Sequence, residues 1–256
     1  MFIKRNWKKL VLFVPIVLFR KIDVIFYDLK IDMPVAELFI QNMFSGNPDR
    51  QQTHLTIVMF GMVEIVLFSL LFGMYIYKDL FGSGVYIIIR QTNRTKWFIQ
   101  RCTELFISAV LFAIITAGMT FIISASCSKY GNYYTSIKIF LLTTVLSALF
   151  AFWQTLTINL TAIRFESTIG FIANYITLTF LSLLAVSHEK IPIIKNFPLL
   201  LRLNPVSNVT INWASEWGET LAPVLYFAVL IILTIFIGVR KINRLDISLQ
   251  NNESAA

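Results

Sequence analysis

LTIVMFGMVEIVLFSLLFGMYIY (Leu55–Tyr77) runs directly into KDLFGSGVYIIIRQTNRTKWFIQRC (Lys78–Cys102). The first stretch carries one charge, Glu64, in 23 residues. About 20 apolar residues cover the hydrocarbon core of a bilayer as a helix, so it reads as a membrane span. The second stretch holds five basic residues and one acid around the apolar block VYIII. It is too basic for a span and too apolar for an ordinary loop, and a second apolar run starts immediately after it.

Outward from this pair the chain repeats the same alternation. Of 256 residues, 57% are hydrophobic and 14% charged, against about 25% charged in soluble domains. Runs of spanning length occur at 55–77, 105–123, 139–158, 168–186 and 221–239. The fifth, 168–186, is rich in Thr and Ser, whose hydroxyls bond a carbonyl one turn back. A shorter run, Leu10–Phe19, covers about 15 Å as a helix. It reaches membrane thickness if it continues to Phe26, or if Lys8, Lys9, Arg20 and Lys21 extend toward the two interfaces. The basic start resembles the first two regions of a signal peptide, but Arg20 and Lys21 follow where a small-x-small cleavage site would stand. The segment is therefore expected to be retained as the first span, 10–26.

The expected fold class is thus an all-α polytopic membrane protein with six transmembrane helices in a single domain, residues 1–256. With six spans both termini share a side. That side carries thirteen of the 22 Lys and Arg in short segments. The opposite segments, 20–54, 124–138 and 187–219, carry nine over many more residues. Basic residues mark the cytoplasmic side, so both termini and the Lys78–Arg101 loop are expected in the cytoplasm. The net charge of +8 orients spans and calls for no nucleic acid. Residues 20–54 read as a long outer loop. The segment IPIIKNFPLLLRLNPVSN (191–208) has three prolines and short apolar pieces. It suits re-entrant outer helices between spans 5 and 6, which require backbone shielded by protein.

Little here points to catalysis. His54 and His188 each stand alone at the outer ends of spans, the Gly82–Gly84 GSG lies in the basic loop, and no Walker loop is present. The chain is read as a non-enzyme that binds no metal or cofactor of its own. Cys102 and Cys127 fall near opposite membrane faces, too far apart to bridge. Glu64 is the costly residue. An ionisable group at mid-membrane marks a functional site, or else a protonated or hydrogen-bonded acid that packs two helices. Gln154, Asn159 and Asn174 are the other polar groups near membrane depth, and interhelical hydrogen bonds account for them. Gly61 and Gly73 offer close approach to a neighbouring helix.

The basic loop divides in two. Phe81, Val85 and Ile88–Ile89 share one helical face, although three isoleucines also permit a strand. A surface strand would have open edges, so a short amphipathic cytoplasmic helix over Asp79–Arg90 is expected. After the break at QTN, Thr95 is expected to cap the next helix, which runs through Trp97 and Cys102 into the third span.

With that division, the loop resembles those of the membrane (permease) subunits of type-two ATP-binding-cassette exporters. In that family it runs acid, Gly-Ser/Thr pair, apolar helix, turn with Arg, basic residue at the next span. Here Asp79 stands three before Gly82-Ser83, Arg94 follows Gly82 by 12, and Arg101 by 19. The segment LNPVSN and the ending Gly238–RKINRLDI fit as well, while Asp replaces the commoner Glu and QTN stands where a proline is frequent. The resemblance implies a short coupling helix between spans 2 and 3, with Asp79, Gly82, Ser83, Val85, Ile88, Arg90 and Arg94 contacting a separate ATPase subunit. Two ATPase copies would bind ATP-Mg, and a second permease copy would complete a homodimer or heterodimer in a bacterial cell membrane. The substrate path would run between the copies past Glu64 and Asn174, with a peptide-like or amphipathic cargo, as in peptide antibiotic export or immunity. Two other functions fit a small polytopic chain. It could be a non-transport immunity or scaffold partner that binds a toxin, or a proton-coupled secondary transporter using Glu64.

Overall fold

The computed structural model describes residues 9, 11, 13–19, 34–44, 55–81, 93–128, 133–187, 199, 202–209 and 217–245. Residues 13–19 are helical. After them come α1 (Val35–Phe44), α2 (Leu55–Phe72), α3 (Tyr75–Phe81), α4 (Arg94–Cys127), α5 (Tyr133–Phe165), α6 (Ser167–Ser187), α7 (Pro205–Val209) and α8 (Trp217–Arg244). Five helical stretches are long and apolar enough to cross a membrane: Gly61–Phe81, Arg94–Cys127, Tyr134–Phe165, Ser167–Ser187 and Leu221–Arg244. These are the long helices of a multi-pass membrane protein, and they match the expected runs 55–77, 105–123, 139–158, 168–186 and 221–239. Of the expected first span, 10–26, residues 10, 12 and 20–26 lie outside the described residues.

The helices exceed the apolar runs because their polar ends are capped and paired. α4 begins eleven residues before its apolar run. Its cap is Asn93, not Thr95: the Asn93 side chain accepts from the Lys96 amide at 3.0 Å. Asparagine is the stronger cap, and Thr95 is left to bond Asn243 at the foot of α8. Cys102 and Cys127 both lie on α4 and are free thiols. Twenty-five residues of helix set them about 38 Å apart.

Apolar drive is weak between helices in lipid, so close packing depends on small side chains. One face of α4 is Ser108, Ala109, Ala113, Thr116, Ala117, Thr120 and Ser124, all buried. Thr116 and Thr120 satisfy their hydroxyls on Phe112 O and Thr116 O of the same helix. α4 packs most extensively on α5, which in turn holds α6 and α8. α5 and α6 are joined by Glu166 alone, with φ at 87°.

The second span is not one helix. It breaks at Gly73–Met74 and resumes as α3. A Cβ on Gly73 would lie 2.3 Å from the Ser69 carbonyl and 2.8 Å from the Phe171 ring, so the break requires glycine. In an unbroken helix the Phe72 carbonyl and Ile76 amide would bond each other. Here the Asn159 carboxamide of α5 serves both: Nδ2 donates to Phe72 O at 3.2 Å, and Oδ1 accepts from Ile76 N at 2.8 Å and Tyr77 N at 3.2 Å. Asn159 is fully buried.

The segment 20–54 is more than a surface loop. α1 buries Val35, Leu38, Phe39 and Met43 along one face. Phe39 meets Phe121 and Phe140 edge-on at 5.8 and 6.0 Å. Ten residues with Glu37 in the first turn are too short and too polar to register as a membrane element.

Replacing Asn159 with Leu should strand one carbonyl and two amides at membrane depth. Such groups cost about 1–3 kcal/mol each before relaxation, so we expect a lower unfolding midpoint of the detergent-purified protein. Asn159→Gln, which keeps the chemistry but not the reach, should recover only part of the loss.

Candidate functional site

Beyond the break in the second span, α3 packs against α4. Tyr75 and Asp79, one turn apart on α3, therefore face Arg101 and Glu104, which are i and i+3 on α4. Arg101 Nε lies 2.8 Å from Asp79 Oδ2, close enough for an ion pair though not aligned as a hydrogen bond. Arg101 Nη1 donates to Glu104 Oε2 at 2.6 Å, and the Tyr75 hydroxyl donates to the same oxygen. The side chains of Arg101 and Asp79 are 16% and 11% exposed. Such shielding makes the loss of one partner costlier than at a surface bridge.

Asp79 thus stands on the extension of the second span, one turn before the chain leaves the described residues. The expected helix over Asp79–Arg90 does not begin there as a separate element, because α3 continues from Tyr75 to Phe81. Gly82, Ser83, Val85, Ile88 and Arg90 lie outside the described residues. Arg94 is the first residue of α4, and its Nη1 donates to the Leu245 carbonyl at 2.8 Å. With Thr95–Asn243, this latches the foot of α4 to the end of α8. At Gly238 α8 comes so close to α4 that a Cβ would lie 2.5 Å from the Phe98 ring. The described residues on either side of 82–92 are thus each fixed to the bundle, Asp79 by Arg101 and Arg94 by the Leu245 carbonyl.

Residues 9–19 run antiparallel to α2 from the same basic end. Lys9 Nζ donates to Leu71 O at 3.3 Å and sits 5.2 Å from the centroid of the Phe72 ring. Phe13 then meets Phe68 and Phe112, which stack on each other at 4.7 Å.

Glu64 is buried in the middle of the bundle. It lines a small cavity, about 10 Å³, with Met43, Gly61, Phe112, Thr116 and Ser147. That is room for about one water. Ser147 Oγ is buried there with no hydrogen-bond partner among the described residues. Asn174 does not line this cavity. Its Nδ2 donates to Thr161 Oγ1 and Gly170 O, both at 2.8 Å, and ties α6 to α5. The structure therefore does not bring Glu64 and Asn174 together.

Several groups that matter carried no sequence signal. Tyr175 of α6 reaches Ser69 Oγ of α2 at 2.8 Å, an exposed-looking tyrosine in a Thr-rich run. Met43 reaches the Glu64 cavity from an element too short to be noticed. Tyr75 and Glu104 flank Arg101, and only the break at Gly73 puts them in register.

Comparison with known proteins finds no matching family model, no matching curated protein and no matching solved structure.

Arg101→Gln should destabilise the protein by about 1–3 kcal/mol, because it leaves the shielded Asp79 and Glu104 carboxylates without their cationic partner. Asp79→Asn, which leaves Arg101 its bond to Glu104, should cost less. Denaturant midpoints of the two variants in one detergent test that order.

Proposed function

We propose that the chain is the permease subunit of an ATP-binding-cassette exporter, resident in a bacterial cell membrane with both termini in the cytoplasm. In this reading residues 10–26 form the first of six spans. Their support is the antiparallel course of residues 9–19 beside α2. Outer re-entrant elements flank the bundle. α7 supports this: Asn204, which precedes it, donates to Leu181 O at 2.7 Å, six residues inside the end of α6 and so about 9 Å along it.

The observation that carries the proposal is that the described residues on either side of 82–92 are each fixed to the bundle. A helix that transmits force from an ATPase must move two spans at once. Asp79 is held to α4 and Arg94 to the end of α8, and α3 is tied through Asn159 to α5. A push at Gly82–Arg90 would reach four long helices. Two ATPase chains would dock there, each carrying ATP-Mg, and a second permease copy would complete the assembly. The outward stripe Ile169, Ile172, Ile176 and Phe180 of α6 is the face offered to that copy. A peptide-like or amphipathic cargo would pass between the copies.

A second reading, a proton-coupled transporter, draws on Glu64 and the water-sized space beside Ser147 and Thr116. A toxin-binding partner without transport would instead use the outer segments.

Gentle purification should bring down a nucleotide-hydrolysing subunit with this chain. Gly82→Asp or Arg90→Glu should reduce its recovery at least about tenfold. Repeated isolation of the chain alone would refute the exporter reading. The proton-coupled alternative predicts that Glu64→Gln abolishes uptake driven by a pH gradient while leaving ATPase association untouched.

A further inference from the structure

At the basic end of the bundle, the inner ends of α5 and α8 enclose a pocket of about 600 Å³. Four of the residues that line it are Arg164, Arg240, Lys241 and Arg244, and no carboxylate among the described residues lines it. Four like charges round one hollow repel each other, and none of them forms an ion pair with any described residue. The cations are held by other means. The Arg164 guanidinium lies 4.8 Å from the centroid of the Phe165 ring, and that of Arg240 lies 4.2 Å from Phe236. Lys241 Nζ donates to Leu160 O at 2.9 Å. Stacking occupies the face of a guanidinium and leaves its N–H edge for an acceptor, and an ammonium with one bond made has two donors left.

We propose that this pocket binds the phosphate group of an anionic membrane phospholipid. Convergent N–H edges with no competing carboxylate among the described residues suit a phosphate diester, which accepts bidentate bonds from arginine. The walls favour a lipid over a soluble phosphate. Beyond Ile237 the exposed face of α8 continues apolar through Phe236, Leu233, Val229 and Leu225, each more than half exposed. An acyl chain can follow this strip away from a headgroup seated among the four cations. Basic pockets between membrane helices recognise anionic headgroups in this way. The site concerns lipid contact and stands whether or not the chain couples to an ATPase.

The test uses the full chain purified in a neutral detergent. Phosphatidylglycerol, phosphatidylcholine and soluble glycerol phosphate are titrated separately, with bound lipid counted by native mass spectrometry and the thermal midpoint followed. Phosphatidylglycerol should bind and raise the midpoint, more weakly at high salt, and phosphatidylcholine should not. Arg240→Gln with Arg244→Gln should weaken phosphatidylglycerol binding on the order of tenfold. Both side chains are exposed and their loss relieves like-charge repulsion, so the ligand-free midpoint should not fall and serves as the folding control. Arg202→Gln, on the opposite end of the bundle, should leave binding unchanged. Equal binding of both lipids, or an unaltered affinity in the double variant, overturns the proposal. Equal competition by glycerol phosphate overturns the assignment to lipid and makes the pocket a site for a soluble phosphate. Occupation by an acidic protein segment in place of lipid, seen as a co-purifying chain lost in the same double variant, also overturns it.

Discussion

Everything at the basic end of this protein depends on one carboxamide. A helix in hydrocarbon has no water to fall back on, so a break in its hydrogen-bond ladder is tolerated only where a neighbour supplies the missing partners. Asn159 inserts into the ladder of the second span between Phe72 and Ile76, and the geometry downstream follows from that. Gly73 admits the break, Asn159 stabilises it, and α3 sets Tyr75 and Asp79 against Glu104 and Arg101. The hydrogen bonds are made across elements 82 or more residues apart in the chain, so the bend and the docking of α5 form together.

The same economy of polar groups runs through the bundle. Hydroxyls on α4, α5 and α6 bond their own helices one turn back. This frees small side chains to lie against a neighbouring backbone without leaving a donor unsatisfied. Large aromatics are then concentrated where gaps remain. Phe13, Phe68, Phe72 and Phe112 fill the space between residues 9–19, α2 and α4, and Phe39, Phe121 and Phe140 fill the space under α1.

The long helices were legible in the sequence because a bilayer imposes a length on them, and four runs read at 105–123, 139–158, 168–186 and 221–239 fall inside observed helices. Their ends were not legible. Apolar content stops at the membrane, whereas a helix stops at its cap, and Asn93 and Thr95 compete for that role on local chemistry alone. The pairing of polar groups was not legible either. Asn159 and Asn174 look alike in the sequence, yet one bridges a broken span and the other ties a hairpin. What distinguishes them is their setting: Gly73 opens the neighbouring span beside Asn159, whereas Gly170 lies one turn before Asn174 on its own helix, packed against Ala162 of α5. Of the site expected from the loop motif, Asp79 and Arg94 are placed with partners. Arg101, which pairs with Asp79, lies within the motif itself, whereas Leu245, which accepts from Arg94, lies 151 residues away, a distance that a motif of about 25 residues does not encode.

The single-residue connection at Glu166 has a mechanical meaning. With one residue between them, and with Asn174, Thr161 and Gly170 stitched across just beyond the turn, α5 and α6 cannot slide or rotate independently at that end. They form a stiff two-armed lever with its fulcrum at the basic surface. A small tilt at the turn is therefore magnified along the arms, and a displacement of a few degrees becomes ångströms at Ser187 and Tyr134.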